Sequence, residues 1–288
     1  MKNKSSIGIV IDSTTTLDAQ LIKDYGIKVV SLNIHTQAFN KREVDTSDEE
    51  IISVLDDVKS LSTSSPSPND FADAYNQLFD EGFKHIICLP LSRELSSTFQ
   101  SAVIGKTYVK RPEEIFVGDT LICNFGLANL IETLLPLFEK EDASFNDIIE
   151  TFRERVANTH IQFSVLNLRH LVNGGRLSKI AGLLGAILHI KPIIEMRQGK
   201  LVLAKKELNM TKVLGTFLNS IKSLSEKFAN LFVKIVDLNQ NDIAEKFVKM
   251  INQAFPKAIV SRVRTVRPVY FIHLGNDGIG MSVVAYNS

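Results

Sequence analysis

Two short stretches of the sequence are rich in hydroxyl side chains. "STSSPS" (62–67) precedes a helix-like run that starts at Pro68, and "LSSTFQSA" (95–102) follows the apolar run "HIICLP". A hydroxyl at a helix start can cap the helix, and the N–H groups there also favour a bound anion. Since each start carries more hydroxyls than one cap can use, we predict a site for a carboxylate, a phosphate or another small anion. The candidate residues are Thr63, Ser64, Ser96 and Thr98.

Two further polar segments follow strand-like runs, "DST" (12–14) and "GDT" (118–120). Capping alone explains a single hydroxyl at a helix start, so it is the preferred interpretation for Ser13 and Thr120.

The second half of the chain contributes two candidate residues. "YFIHLGNDGIG" places His273 at the end of a predicted strand, before a Gly-rich turn whose backbone can approach a ligand closely. "VNGGRLSK" places Arg176 after a tight turn, where it can pair with an anion or with an acidic group of a partner. A structural role, in the turn or at a helix end, remains the alternative for each.

Most enzyme signatures are missing from the sequence. It has no phosphate-binding P-loop, dinucleotide fingerprint, C-x-x-C pair, H-E-x-x-H motif or G-x-S-x-G turn. His189, alone between apolar residues, is predicted to be structural. One enzyme hypothesis stays open, a lipid or ester hydrolase with Ser96 as nucleophile and His273 as base, oriented by Asp12 or Asp119. Several hydroxyls in one site favour binding over catalysis.

Composition narrows the class of protein. The 33 basic and 32 acidic residues leave a net charge of +1 and no basic stripe, so we predict no nucleic-acid binding. Cys88 and Cys123 lie in apolar runs, as reduced thiols do in cytoplasmic proteins. The N-terminal residues lack the features of a signal peptide. The longest apolar passage, "IAGLLGAILHIKPII", is shorter than the roughly 20 residues of a membrane span. We therefore predict a cytoplasmic protein with at most transient membrane contact.

The first half of the chain must position the hydroxyl-rich stretches. Strand-like runs, apolar on both faces, alternate with helix-like runs, which predicts a mainly parallel sheet flanked by helices. Asp12, Ser13 or Thr14 is predicted to cap the first helix, over 17–26. Because ligands of such sheets lie beyond the carboxyl ends of the strands, the polar segments are expected to meet there. The strand-like runs are "IGIVID" (7–12), "IKVVSLNIH" (27–35), "HIICLPL" (85–91) and "EIFV" (114–117).

The pattern changes after about residue 157. "KPIIEMRQGKLVLAKKE" predicts a hairpin that turns at 197–200. The tail predicts helix, strand, helix and then three strands, "AIVSRVR", "PVYFIHLG" and "GIGMSVVAY". The predicted fold is thus two-domain α/β, with an N-terminal α/β domain over 1–157 that carries the anion-binding loops. A second, α+β domain is predicted over 158–288, with a partly antiparallel sheet. A cleft is expected between these two domains.

Six stretches, in order along nearly the whole chain, resemble the DegV family. "TSSPS" (63–67) matches the pattern T-S-Q-P-S, "LSSTFQSA" (95–102) matches L-S-G-T-x-x-S-A, and "HLGNDGIG" (273–280) matches a pattern like H-T-G-P-x-x-x-G. The other three are "IVIDST" (9–14), "NGGRLSK" (173–179) and "IKPII" (190–194).

The resemblance implies a protein that binds a long-chain fatty acid, with the acyl chain in a buried tunnel and its carboxyl group at the domain junction. It implies that Thr63 and Ser96 hold the carboxyl group, with Ser64, Thr98 and His273 nearby. Burial of a CH₂ group is worth about 0.8 kcal/mol, so the tail is expected to supply most of the affinity. The expected tunnel residues are Phe163, Ile180, Leu184, Ile187 and Phe271.

The family includes the FakB subunit of bacterial fatty acid kinase. Resemblance to it implies a non-catalytic protein without a cofactor, which presents the carboxylate to a separate ATP-binding kinase subunit for acyl-phosphate formation and phospholipid synthesis. Arg176, Lys205 and Lys206 are the candidate docking residues for that partner.

Three positions depart from the family's patterns. Ser65 replaces the usual Gln, Ser97 replaces the usual Gly, and Glu207 stands where many members carry Arg. The first two change the predicted carboxyl site, and the third changes the predicted partner surface.

Overall fold

The computed structural model describes residues 1–166, 168–177 and 190–287, whose strands form three sheets. In chain order, the strands are β1 (Ile7–Asp12), β2 (Lys28–Val30), β3 (Asn33–His35), β4 (Asn40–Arg42), β5 (Ser62–Ser64), β6 (His85–Leu89), β7 (Ile115–Val117), β8 (Thr159–Val165), β9 (Lys191–Arg197), β10 (Lys200–Glu207), β11 (Asn230–Leu238), β12 (Ile259–Val263) and β13 (Gly278–Tyr286). The helices are α1 (Ala19–Tyr25), α2 (Asp48–Val54), α3 (Pro68–Asp80), α4 (Thr98–Lys106), α5 (Asn124–Leu134), α6 (Phe145–Ala157), α7 (Arg169–Asn173), α8 (Met210–Ser225), α9 (Asn241–Ala254) and α10 (Pro268–Leu274).

The first half of the chain contains a four-stranded sheet in the order β2-β1-β6-β7, with every pair parallel. All residues of β1 are buried, as expected for a strand that is covered on both faces. The predicted mainly parallel sheet is therefore confirmed.

The second half contains a six-stranded sheet in the order β10-β9-β8-β13-β11-β12. Only β11 and β12 pair in parallel, so the predicted partly antiparallel sheet is also confirmed. The predicted hairpin joins β9 to β10. Its two turn residues, Gln198 and Gly199, have φ of 49° and 81°, the left-handed backbone that a two-residue hairpin turn requires.

A three-stranded antiparallel sheet, in the order β4-β3-β5, has no counterpart in the sequence analysis. It arises because the run 27–35 is divided, so that β2 joins the parallel sheet and β3 leaves it. The division lies at Ser31, whose hydroxyl donates to the Leu32 carbonyl and accepts from the Val44 N–H. The hydroxyl-rich stretch therefore contains an edge strand, β5, and is not wholly a loop.

Helix α10 corrects the prediction of a strand over "PVYFIHLG". Pro268 occupies its first turn, where the fixed φ and the missing N–H of proline suit a helix. All residues of α10 except His273 are buried, so the run shows neither the period of a strand nor that of an amphipathic helix. His273 consequently lies in the last turn of a helix.

Two helix starts also differ from expectation. Asp18 caps α1 by accepting the Gln20 N–H, so the prediction that residues 12–14 cap this helix is wrong. Asp12 instead accepts the N–H groups of Thr14 and Leu91, which ties the loop after β1 to the loop after β6. Helix α6, which the sequence analysis does not predict, packs against α5 and β13.

The largest group of buried apolar residues contains side chains from both halves of the chain. Helix α5 is central to it, because ten of its 11 residues are buried and it packs against β8, β11 and β13. A helix from the first half thus completes the core under the six-stranded sheet. The domain boundary at residue 157 stays a prediction.

Cys88 and Cys123 are free and buried, and burial raises their thiol pKa values to about 12 and about 11. In the part of the chain that the structure describes, none of the helices combines the length and apolar character needed to cross a bilayer.

Candidate ligand-binding cavity

A cavity lies between the loops at the carboxyl ends of the parallel strands and the inner face of the six-stranded sheet. The space within it that is open to the centre of a water-sized sphere is about 60 Å³. Most of its wall is buried and apolar. The wall residues of this kind are Leu32, Leu91, Cys123, Phe125, Ile161, Phe163, Leu171, Leu201, Val269, Tyr270 and Leu274.

The polar side chains of the wall are concentrated at one end. Four of them, Thr63, Ser96, Arg176 and His273, retain exposure to solvent and form the cavity mouth. Thr63 and Ser96 come from the first 157 residues, and Arg176 and His273 come from the rest. The fold therefore brings four predicted site residues together around one opening.

Thr63 and His273 are in direct contact across the mouth. Oγ1 of Thr63, on β5, lies 3.0 Å from Nε2 of His273, on α10, although the residues are 210 positions apart. The contact joins the three-stranded sheet to α10 at the cavity.

Ser96 and Thr98 form a second hydroxyl pair, at the start of α4. Their hydroxyl oxygens are 2.9 Å apart, and Oγ of Ser96 also accepts the Thr98 N–H. Ser96 lines the cavity, whereas Thr98 is fully buried and does not. Direct contact with a ligand is thus possible for Ser96, and the buried Thr98 positions the Ser96 hydroxyl by hydrogen bonding to it.

Two further predicted residues lie outside the cavity wall. The Ser64 hydroxyl faces Nε2 of His35 at 2.9 Å, because successive side chains of a strand point to opposite faces and Thr63 takes the cavity face. Phe271 is buried in the core. Residues 269, 270, 273 and 274 turn toward the cavity, which leaves Phe271 on the opposite side of α10.

Of the remaining predicted tunnel residues, Phe163 lines the cavity. Ile180, Leu184 and Ile187 lie outside the described residues.

Arg176 is exposed and held by main-chain carbonyl groups. Its guanidinium donates to the Gly174 carbonyl at 2.6 Å and to the Leu95 carbonyl at 3.4 Å. Lys205 and Lys206 are exposed on β10 and do not line the cavity. Nζ of Lys205 lies 2.7 Å from Oε1 of Glu207, so this lysine already has a counter-ion.

His273 is neutral at pH 7. Burial lowers its pKa to about 4, and the neighbouring Arg176 and His170 act in the same direction. Its Nδ1 is buried and has no hydrogen-bond partner among the described residues. With the ring proton on Nε2, Thr63 accepts this N–H and keeps its own hydroxyl proton for an oxygen atom in the cavity.

The departures from the family's patterns have structural counterparts. The hydroxyl oxygens of Ser65 and Ser97 are 2.7 Å apart, so two of the three departures contact each other beside the mouth. The third, Glu207, binds Lys205 and accepts the Thr216 hydroxyl, and these contacts lower its pKa.

Sequence reasoning overlooked Asn124, a polar residue of the cavity wall. It begins α5 with a φ of 52° and is buried. Its amide donates to the Val266 carbonyl, and its oxygen accepts the Phe125 N–H at 2.6 Å. Asn124 thereby fixes the start of α5 against the segment that leads into α10. An Asn just before a helix-like run is a cap signal that can identify such a residue.

The hydrogen bonds that a hydrolase requires are not formed among the described residues. Ser96 contacts Thr98 and not His273. Asp12 is occupied by the loops that it joins, and Asp119 pairs with Arg93 at 2.8 Å, so neither orients the imidazole. Within the described ranges there is also no cluster of three or more His, Cys, Asp or Glu side chains that suits a metal ion.

The fold and the cavity define a mixed α/β protein that encloses an apolar pocket with a polar opening. A family model described as "Uncharacterised protein, DegV family" matches residues 6–286. The chain belongs to the DegV family, as the sequence motifs indicated.

Curated relatives cover most of the chain. A DegV domain-containing protein of Halalkalibacterium halodurans is 30% identical over 280 residues, which cover 96% of this chain and 98% of the relative. Another, from Clostridium acetobutylicum, is 32% identical over 221 residues, which cover 76% of this chain and 78% of the relative.

Solved structures confirm the fold. A DegV family protein from Thermus thermophilus, described with its fatty-acid binding, has a TM-score of 0.86 at 23% identity and covers 97% of this chain and 99% of its own. A stearic-acid-binding protein from Eubacterium ventriosum has a TM-score of 0.85 at 26% identity, with 97% of this chain and 98% of its own covered.

Proposed function

We propose that this protein binds a long-chain fatty acid without catalysing a reaction on it. The acyl chain occupies the apolar cavity, and the carboxylate lies at the mouth between Thr63, Ser96, His273 and Arg176. The observation that carries the proposal is the division of the wall, whose buried part is apolar except for Asn124 and whose other polar side chains retain exposure to solvent. The fatty-acid binding described for the Thermus protein and the stearic-acid binding described for the Eubacterium protein support the same ligand class.

The chemistry of the mouth suits an ionised carboxylate. Hydroxyl groups donate to its oxygens, and the Arg176 guanidinium supplies a positive charge without burying it. An acyl chain of about 14 methylene groups contributes on the order of 10 kcal/mol of transfer free energy, before the costs of binding. The mouth therefore sets the orientation of the ligand, while the cavity supplies most of the affinity.

A purified sample tests the proposal directly. Native mass spectrometry of the protein from a heterologous host is expected to show a mass added by a fatty acid, which denaturing extraction then identifies. Repeated recovery of ligand-free protein that also fails to bind added oleate or stearate would contradict the proposal.

The carboxylate site is tested by the double variant Thr63→Ala with Ser96→Ala. A hydrogen bond to a charged group is worth about 1.5–3 kcal/mol, so we expect a loss of affinity of at least about tenfold in a titration with a fluorescent fatty acid. Ser64→Ala is the matched control, since its hydroxyl faces His35, and it should bind as the wild type does. Equal affinity of the double variant and the control would place the carboxylate elsewhere.

We propose further that the bound carboxylate is presented to a partner, an ATP-dependent fatty acid kinase subunit. Arg176 at the mouth and Lys206 on β10 are the proposed docking residues. Lys205 is a weaker candidate because Glu207 neutralises it. This role predicts no nucleotide site in the chain and a cytoplasmic location.

Acyl phosphate is the product that reveals such a partner. The loaded protein, incubated with a bacterial fatty acid kinase subunit and ATP, is expected to yield acyl hydroxamate after trapping with hydroxylamine. Arg176→Ala should lower the yield more than it lowers fatty-acid affinity. A wild-type protein that binds fatty acid but gives no hydroxamate would limit the function to binding.

A further inference from the structure

Glu43 lies outside the cavity lining and connects two parts of the cavity wall. It is fully buried in the short turn after β4. Its N–H donates to the carbonyl of Leu32 at 2.8 Å, and its Oε1 accepts the N–H of Val269 at 2.9 Å. Leu32 and Val269 both line the cavity, the first from the segment after β2 and the second from α10. One residue thus fixes the separation of these two walls.

The second carboxyl oxygen of Glu43 strengthens the same connection. Oε2 accepts the Ser13 hydroxyl at 2.5 Å, and that hydroxyl oxygen accepts the N–H of Leu32 at 2.9 Å. Glu43 therefore contacts the Leu32 wall twice, once by its own main chain and once through Ser13.

The segment that Glu43 holds is strained where it enters α10. Arg267 has φ 67° and ψ 150°, a backbone region that is almost restricted to glycine. Its Nε donates to the Ser13 carbonyl at 3.2 Å. Such a conformation persists only when its surroundings hold it, and Ser13 at Arg267 and Glu43 at Val269 are two of the residues that hold this segment.

The carboxyl group of Glu43 is poised to change its protonation near neutral pH. Burial raises its pKa to about 7, and the nearby charge of Asp12, at the end of β1, adds to the rise. The Ser13 hydroxyl, the Val269 N–H and the charge of Arg267 act in the opposite direction without cancelling it. Asp12 and Arg267 are the charged groups that face Glu43 from the elements packed around it.

We propose that Glu43 is a proton-dependent contact between the cavity walls, so that closure of α10 over a fatty acid shifts Glu43 toward its protonated form and takes up a pH-dependent fraction of a proton from solvent. When α10 moves away, this carboxylate regains water and its pKa falls back toward the ordinary value of 4.5. The closed form therefore holds the proton more tightly than the open form. Linkage then requires that acid favours closure and that higher pH favours opening and ligand release.

The inference rests on the proposed function, and binding of myristate tests both. In wild-type protein at pH 7.5, calorimetry in two buffers of different ionisation enthalpy should show proton uptake on binding. The dissociation constant should rise several-fold from pH 6.5 to pH 8.5. Glu43→Gln should abolish the uptake and reduce the pH effect to less than twofold. Asp45→Asn, an exposed carboxyl on the same turn, should behave as the wild type does.

The outcomes separate the two ideas. Failure of wild-type protein to bind myristate, oleate or stearate at any pH overturns the proposed function and the inference together. Binding without proton uptake, or uptake that persists in Glu43→Gln, overturns the inference alone. Should Glu43→Gln not fold, Ser13→Ala replaces it. Loss of this hydroxyl donor should move the pH of maximal uptake upward, and an unmoved maximum would overturn the inference.

Discussion

At the scale of single residues, His273 is a hydrogen-bonding group and not a charged one. Its pKa is lowered to about 4, so the imidazole stays neutral across the physiological range. The positive charge of the mouth comes from Arg176, whereas Thr63 and His273 contribute directional hydrogen bonds. This division suits a ligand whose head is anionic and whose tail must avoid charge.

Titration of His273 is therefore a sharp prediction. In ligand-free protein, the NMR shifts of its ring should stay constant between pH 8 and pH 5.5, while exposed histidines titrate near 6.5. Because His273 binds its proton less tightly in the folded than in the unfolded chain, its contribution to stability is present above pH 6.5 and is lost as pH falls toward 4. A transition near pH 6.5 that disappears in His273→Asn would contradict the burial argument.

The residues at the mouth could be predicted from the sequence to a large extent. An excess of hydroxyls over caps indicated Thr63 and Ser96, and the family motifs indicated His273 and Arg176. The Ser64 side chain lies outside the cavity wall because this stretch forms a strand, and an interpretation as a loop does not include the alternation of a strand. Glu43 could not be found, since one acidic residue in a polar segment carries no periodic or motif signal before the chain is folded.

At the scale of elements, α10 is held at both ends. Its start is bound by Glu43, and its end packs against α7, where His170 Nδ1 lies 3.1 Å from the Ile272 carbonyl. Gly174, just after α7, allows the closest approach of the two helices. A Cβ atom built there would lie 2.6 Å from Nδ1 of His273.

Gly174→Ala is expected to weaken fatty-acid binding. Its backbone angles, φ −67° and ψ −13°, suit alanine, so the effect is steric and acts on the position of His273. We expect a stability loss of about 1–3 kcal/mol, the usual range for overpacking, and a lower affinity for fatty acid in the same titration.

Gly215→Ala in α8 is the matched control, because no heavy atom lies within 4 Å of the added Cβ. It should stabilise the protein by about 0.5–1 kcal/mol and leave binding unchanged. If both alanine variants bind fatty acid as the wild type does, the contact between Gly174 and His273 does not position the site.

Elements with a clear apolar pattern were predictable, and several of the others, including α6, were not. β1 and β13 are long apolar runs, and α8 repeats its apolar residues at helical spacing, so their types follow from pattern. β3, β4 and β5 have three residues each, too few to show a period. α10 is covered on nearly every side, and only Pro268 distinguished it from a strand.

At the scale of the whole molecule, a buried ion pair crosses the layer between α5 and the six-stranded sheet. Nζ of Lys234, on β11, lies 2.8 and 2.7 Å from the two carboxyl oxygens of Glu132, on α5. The Lys234 side chain is 4% exposed and that of Glu132 is 27% exposed. Glu132 is therefore the counter-ion of a lysine that lies almost wholly out of water.

Removal of one partner should cost more than removal of both. Glu132→Gln leaves a buried ammonium without a counter-charge, and we expect a loss of about 2–4 kcal/mol in chemical denaturation, since the partly exposed Glu132 places the effect toward the low end for buried pairs. The double variant Glu132→Leu with Lys234→Met should recover most of that loss. A single variant as stable as the wild type would show that the pair is not needed to hold α5 on the sheet.

The hydrogen bond between Ser65 and Ser97 has an evolutionary consequence. The two residues lie 32 positions apart, yet each supplies the other's hydroxyl partner. Loss of either hydroxyl leaves the other without this partner, so the effect of a substitution at one position is expected to depend on the residue at the other. A mutational library that randomises both positions together should recover functional combinations that scans of single positions miss.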